Sequence, residues 1–190
     1  MRICYLDNEK ITYLRRHWTE KFVASIEPAD WKEEYDVILQ KKEDLLDRIE
    51  TKGFFGDPDN RLNDITYVAI LDSECDDLDQ VTAIAQVIAT RRGREHNVRI
   101  MSLVFAPYVE ITEKAIYDAH YADAFAYIIA YYIAKCDVKG SITKVYAEDE
   151  VAQVFLKDMH DQLADELRKH SLKVAMQGLN WLSFTLLKTN

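Results

Sequence analysis

Hydrophobic positions near the start of the chain change from a period of two to spacings of three and four. Residues 2–6 alternate as a β-strand does, and Asp7 or Asn8 can cap the helix that follows. The apolar positions of that helix are Ile11, Leu14, Trp18 and Phe22. The pattern predicts a strand followed by an amphipathic helix.

A second helical pattern follows Pro28 and continues to Gly53, with Asp30 as the expected N-cap. Its apolar positions keep a helical period at Trp31, Tyr35, Ile38, Leu45, Leu46 and Ile49. Charged residues occupy other positions, namely Lys32, Glu33, Lys41, Lys42, Glu43, Asp44 and Asp47. We interpret them as a solvated face, and the turn-rich residues 53–64 as the connecting loop that follows.

Three strands joined by two turns are predicted in the middle of the chain. The strands cover residues 65–71, 81–90 and 98–105. An acidic run that begins at Asp72 separates the first two, and the arginine-rich turn 91–95 separates the last two. The pattern indicates an antiparallel meander.

The last part of the chain predicts a helix over 113–136, a strand over 142–147, a helix over 148–170 and a strand pair within 172–187 that turns near Gly178. The first of these helices is apolar on nearly every side near its end, so we expect it to be central. It carries five tyrosines, at Tyr117, Tyr121, Tyr127, Tyr131 and Tyr132. Core packing is the preferred interpretation of this row, and a cleft or subunit interface stays open.

Composition narrows the function classes. A chain of 190 residues with 48% hydrophobic residues predicts one globular domain over 1–190. Its formal net charge of -9 disfavours nucleic acid and anionic lipid as partners. The longest apolar run, residues 124–134, is too short to span a bilayer as a helix, so we expect no membrane span.

The cysteines and acidic clusters do not predict a metal site. Three cysteines with no CxxC spacing suggest neither a disulfide framework nor a zinc clip, and we expect a cytoplasmic protein; they are Cys4, Cys75 and Cys136. Asp72, Glu74 and Asp76 have the first spacings of a calcium loop, but Asp77 stands where that loop needs glycine. Asp118 and His120 would point about 200 degrees apart on a helix, so they cannot share one ion.

The order of predicted elements resembles that of the GNAT (N-acetyltransferase-like) acyltransferase superfamily over the whole chain. GSITKVYAEDEVAQVFLKDM, residues 140–159, is similar to the family's fifth strand and next helix, and LVFAPYVEI, residues 103–111, to the fourth strand with its closing proline. The resemblance implies an α/β (α+β) fold, with a mixed central sheet of about six to seven strands flanked by about four helices.

The resemblance also implies a cofactor loop, and this chain departs from it. The family loop Q/R-x-x-G-x-G/A holds the pyrophosphate of acyl-CoA on its amides, whereas the aligned residues here are Glu110, Glu113 and Ala115. Two carboxylates therefore stand where phosphates would lie. The cofactor-binding positions that the resemblance implies are Phe105, Val109, Glu110, Ile111, Lys114 and Ala115.

The resemblance also places the catalytic groups. The family's general acid, a tyrosine, aligns with Leu156, which has no proton to donate. Glu110 is the nearby candidate for a catalytic base. The standard catalytic residues are therefore expected to be largely absent.

These observations favour a diverged GNAT-like protein that is not a conventional acetyltransferase and binds a protein or small ligand in the cleft. One alternative is an active N-acyltransferase that uses acetyl-CoA with an unconventional loop, in which Lys114 or Lys144 compensates for the carboxylates. Another is an acidic, non-enzymatic interaction or inhibitor protein that docks on a basic partner. A homodimer is left open.

Overall fold

The computed structural model describes residues 1–52, 58, 62–72, 77–135, 139–148 and 150–187. The strands are β1 Arg2–Tyr5, β2 Ile65–Leu71, β3 Val81–Arg92, β4 Glu95–Phe105, β5 Ile142–Tyr146, β6 Leu172–Gln177 and β7 Trp181–Leu186. The helices in these described residues are α1 Asn8–Ala24, α2 Glu33–Lys52, the short α3 Pro107–Glu110, α4 Lys114–Lys135 and α5 Glu150–Lys169.

Seven strands form a mixed sheet in the order β1-β2-β3-β4-β5-β7-β6. β4 and β5 are parallel, with Val98 opposite Thr143, whereas β1–β2, β5–β7 and β6–β7 are antiparallel. The sheet confirms the predicted α/β (α+β) fold class with a mixed sheet of six to seven strands. Ile142 of β5 lies opposite Asn97 of β4.

By their internal packing the residues divide into two compact units. The first comprises Met1–Gly56, Tyr67–Ile84 and Val104–Phe125, and the second comprises Asp57–Thr66, Ala85–Leu103 and Ala126–Asn190. The first unit buries the apolar positions of α1 and of residues 67–71, and the second buries Val145, Val174, Leu182 and Phe184. The single domain expected over 1–190 stays a prediction.

The start of α1 follows the sequence pattern closely. Asp7 is the N-cap, because its backbone is extended and its side chain accepts a hydrogen bond from the Lys10 amide at 2.8 Å. The four predicted core positions of α1 are all buried: Ile11, Leu14, Trp18 and Phe22. Local capping and apolar spacing together therefore fix this helix.

The predicted cap of α2 is wrong. Asp30 is the last residue of a 3-10 turn over Pro28–Asp30, and α2 begins only at Glu33. Proline fixes φ near the helical value, so it starts this short turn instead of preceding a longer helix.

The expectation that α4 is central is wrong too. Phe125, Ile128 and Ile129 are buried, but Ala126 and Ala130 are exposed, as is Ala134. Alanine reads as apolar in a sequence pattern, yet its small side chain exposes little apolar surface to water. The helix therefore has one buried side and an alanine-rich exposed side.

Some predictions lie outside the described residues. They include most of the loop 53–64, the acidic run from residue 73 to 76, Cys75 and Cys136. None of the helices in the described part of the chain is both apolar and long enough to cross a bilayer.

Candidate functional site

The end of β4 is held in place from two directions. The Ala106 amide donates to the carbonyl of Thr82 at 2.8 Å, and Pro107 then starts α3. The buried Phe105 ring contacts Tyr117 and Tyr121 of α4, with ring centroids 5.5 and 5.7 Å apart. These contacts fix both ends of the segment in which the cofactor loop was expected.

The backbone amides of this segment are hydrogen-bonded within the segment itself. The amides of Val109 and Glu110 both donate to the Ala106 carbonyl, at 2.9 and 3.4 Å. The amides of Ile111 and Thr112 donate to the Val109 carbonyl, the latter at 3.2 Å. We call residues 106–112 the closed turn. Its amides at 109–112 point to neighbouring carbonyls instead of an open cradle.

A lysine of α2 neutralises the carboxylate of the closed turn. Lys42 Nζ lies 2.5 Å from Glu110 Oε1, and the two side chains are only 7% and 27% exposed. Burial lowers the pKa of Lys42, and the adjacent Glu110 charge opposes that shift. Glu110 is therefore ion-paired with a buried cation, and its role as a catalytic base stays a prediction.

The sequence interpretation placed Lys42 on the solvated face of α2, which is wrong. Lys42 precedes the buried Leu45, Leu46 and Ile49 by three, four and seven residues. Those spacings put it on the buried face of the helix. The spacing of Lys42 from these apolar positions in the sequence could have predicted that it lies on the buried face.

The other positions implied by the resemblance differ in how far they are exposed to solvent. Val109 is buried, Ile111 is half-buried and Ala115 is exposed. Lys114 binds Asp118 at 2.9 Å in an exposed ion pair. Their role in cofactor binding, like that of Phe105 and Glu110, stays a prediction.

Two further residues were considered in the sequence analysis, one as a compensating cation and one at the position of the general acid. Lys144, the second proposed compensating cation, donates to the Gln177 side chain at 2.7 Å. Leu156, at the position of the family's general acid, is fully buried.

Tyr108, which the sequence interpretation did not single out, lies at the start of the closed turn. Its hydroxyl donates to the Val81 carbonyl at 3.0 Å, and the Trp18 ring nitrogen donates to the same carbonyl at 3.2 Å. Lys21 Nζ lies 4.1 Å from the centre of the Tyr108 ring. Burial, together with Asp72 and Asp79, raises the Tyr108 pKa to about 12, so the hydroxyl stays protonated and donates at neutral pH.

A second group of polar side chains joins α1 to the residues before β3. The Tyr13 hydroxyl donates to Asp79, and His17 Nδ1 lies 3.5 Å from the same carboxylate. The Tyr13 and His17 rings stack with centroids 5.6 Å apart. His17 Nε2 is buried without a hydrogen-bond partner among the described residues.

No group of three or more His, Cys, Asp or Glu side chains within the described ranges is placed to hold a metal ion. Of the candidate calcium-loop residues, Glu74 and Asp76 lie outside those ranges.

Comparison with known proteins yields only distant structural alignments. No protein-family model matches the sequence, and no curated protein matches it. One aligned structure is the NatC complex bound to Gag peptide and CoA, at 8% identity over 100% of both chains with a TM-score of 0.31. Another is Arabidopsis thaliana NAA60 in complex with acetyl-CoA, at 11% identity over 96% of this chain and 97% of that one, with a TM-score of 0.33. Alignments this weak transfer no ligand and no residue role to this chain.

Proposed function

We propose that this protein is a diverged GNAT-like protein that does not bind acyl-CoA conventionally and acts by binding a protein or small ligand. The observation that carries the proposal is the closed turn, whose amides at 109–112 already donate to Ala106 and Val109. A pyrophosphate cradle needs several amides directed at the ligand. Here those amides would first have to leave their carbonyl partners.

That rearrangement is costly in the closed turn. A buried polar group left unpaired costs about 1–3 kcal/mol, and Ala106 and Val109, whose carbonyls would lose their donors, are buried. Like-charge repulsion is the smaller obstacle, because Lys42 compensates Glu110. Glu113 is exposed and adds a negative charge immediately before α4.

The catalytic positions support the same proposal. Glu110 Oε1 lies 2.5 Å from Lys42 Nζ, so this carboxylate would have to give up an ion pair before it could accept a proton from a substrate. Leucine at 156 offers no acid, so neither proton transfer of the family's reaction has a well-suited residue.

Isothermal titration with acetyl-CoA tests the proposal. We expect no heat of binding from the wild-type protein up to millimolar ligand. Micromolar binding would contradict the proposal and support the N-acyltransferase alternative.

The matched variant is Glu113→Gly, which restores the one missing family glycine and leaves the Lys42–Glu110 pair in place, since Ala115 already fits the last position of the family loop. Glycine removes the Cβ and allows the backbone to approach a phosphate. We expect this variant to bind acetyl-CoA more tightly than the wild type does.

The proposal also covers the cellular compartment of the protein and the class of its partner. Three cysteines without CxxC spacing fit a reducing compartment, so we place the protein in the cytoplasm. The acidic net charge fits a protein partner better than a nucleic acid.

A further inference from the structure

One face of the four strands β4, β5, β7 and β6 carries basic and aromatic side chains. Arg99 of β4 lies opposite Lys144 of β5, and Lys144 lies opposite Ser183 of β7. Residues directly opposite each other on neighbouring strands point to the same face of a sheet. We call this surface the basic face.

Within the part of the chain that the structure describes, the positive charges of the basic face have no acidic partner. Arg99 and Lys173 are exposed and form no ion pair among the described residues, and Lys144 bonds only to the neutral amide oxygen of Gln177. β5, β6 and β7 contain no acidic residue, and the single one in β4, Glu95, lies four residues from Arg99. That spacing is roughly 13 Å along a strand.

Two of these charges lie on opposite residues. Arg99 and Lys144 are paired across the parallel strands β4 and β5, a position in which like charges disfavour a sheet. Lys144 extends across β7 to Gln177 of β6, so the two cations spread positive charge over the four strands. A partner that brings negative charge would interact favourably with both.

Two aromatic rings adjoin the charges. Tyr146 and Trp181 are opposite residues of β5 and β7, their ring centroids are 4.9 Å apart, and both side chains are half-buried. Tyrosine and tryptophan provide large amphipathic contact area in protein interfaces. The basic face therefore offers both charge recognition and apolar contact.

We propose that the basic face binds a short acidic peptide segment of a partner protein. This inference rests on the proposed function, since it names the partner chemistry of a binding protein. Four strands span roughly 14 Å, a width that an extended peptide of about five residues covers. A short segment fits better than a long polyanion, because charges act over only about 8 Å at physiological salt and the rest of this acidic chain repels a longer one.

Fluorescence anisotropy tests the inference with a fluorescein-labelled hexapeptide of four glutamates and two leucines. The control peptide has glutamine in place of every glutamate. We expect micromolar binding of the acidic peptide and at least tenfold weaker binding of its control. The double variant R99Q/K144Q should bind the acidic peptide at least tenfold more weakly than the wild type does.

A variant of equal charge change separates local recognition from net charge. Arg16 is 69% exposed on α1, so R16Q/K32Q alters the same net charge without touching the basic face. We expect it to bind the peptide as the wild type does, and circular dichroism melts verify that all variants fold. Equal weakening in both double variants, or no peptide binding by the wild type, would overturn the inference.

Two further ligands test the alternatives, one for this inference and one for the proposed function. Tighter binding of a labelled oligothymidylate than of the acidic peptide, lost in R99Q/K144Q, would overturn the inference in favour of single-stranded nucleic acid. Acetyl-CoA binding to the wild type would contradict the proposed function, whereas failure of the peptide alone would contradict only this inference.

Discussion

The closed turn and the basic face differ in whether their charged side chains have partners of opposite charge. In the closed turn, Glu110 is paired with Lys42, and the amides at 109–112 donate to neighbouring carbonyls. On the basic face, Arg99 and Lys144 stand side by side without an acidic partner among the described residues. The amides at 109–112 are therefore satisfied within the turn, whereas the basic face holds positive charge without an acidic partner among the described residues.

The comparison shows why a motif and a binding site need not coincide. A ligand gains free energy from groups that lack partners in the free protein, because groups already paired must first give up an interaction. By this criterion the closed turn is structural. The basic face is the better candidate for recognition.

The largest predicted effect comes from breaking the ion pair of the closed turn. Lys42→Met leaves the partly buried Glu110 carboxylate without its cation. We expect a loss of about 2–4 kcal/mol in the free energy of unfolding, measured by urea denaturation.

Two comparisons sharpen that prediction. Lys41→Met changes an exposed neighbour on the same helix and should alter stability by no more than about 0.5 kcal/mol. The double variant K42M/E110L replaces the pair with apolar groups and should recover to within about 1 kcal/mol of the wild type. Equal stability of K42M and the wild type would show that the pair is not a structural part of the turn.

A smaller effect is expected at Tyr108. Tyr108→Phe removes the hydrogen bond to the Val81 carbonyl, which Trp18 still satisfies, so we expect a loss of about 0.5–1.5 kcal/mol at neutral pH. The wild-type pKa is raised from 10.0 to about 12, so the native state keeps its proton longer than the unfolded chain does.

The sign of the pH dependence follows from that shift. Between pH 10 and about 12 the native state binds more protons, so wild-type stability falls as pH rises through this range. Tyr108→Phe lacks this contribution, and the stability gap between the two proteins should shrink over the same range in alkaline urea titrations. A gap that widens with pH would contradict the assignment of the shift to Tyr108.

The smallest predicted change in the free energy of unfolding is a gain in stability instead of a loss. Arg99→Gln removes the repulsion with Lys144, so we expect the free protein to gain about 0.2–1 kcal/mol. Thermal melts at low and high salt check this, because salt screens the repulsion and should reduce the gain. A loss of stability at low salt would show that the two charges are compensated in the free protein.

Much of the fold could be predicted from the sequence where local and tertiary preferences agree. β2 was predicted as 65–71 and lies at Ile65–Leu71, because its apolar run is buried at nearly every position and bounded by polar turns. Asp7 could be identified because an N-cap depends on its immediate neighbours.

The candidate site could not be predicted in the same way. Lys42 contacts Glu110 across 68 positions of sequence, and no local pattern reports such a contact. The basic face depends on the register of β4, β5 and β7, which sets Arg99 beside Lys144 and Tyr146 beside Trp181. Charges scattered along a sequence become a surface only once strand pairing is known.

The central claim is that the closed turn does not hold a phosphate. Its most direct test is the proton–nitrogen NMR spectrum of the Val109, Glu110 and Thr112 amides during a titration with acetyl-CoA. We predict that these resonances do not move up to millimolar ligand and that their hydrogen exchange stays slow. Saturable shifts of the three amides at micromolar acetyl-CoA would contradict the account.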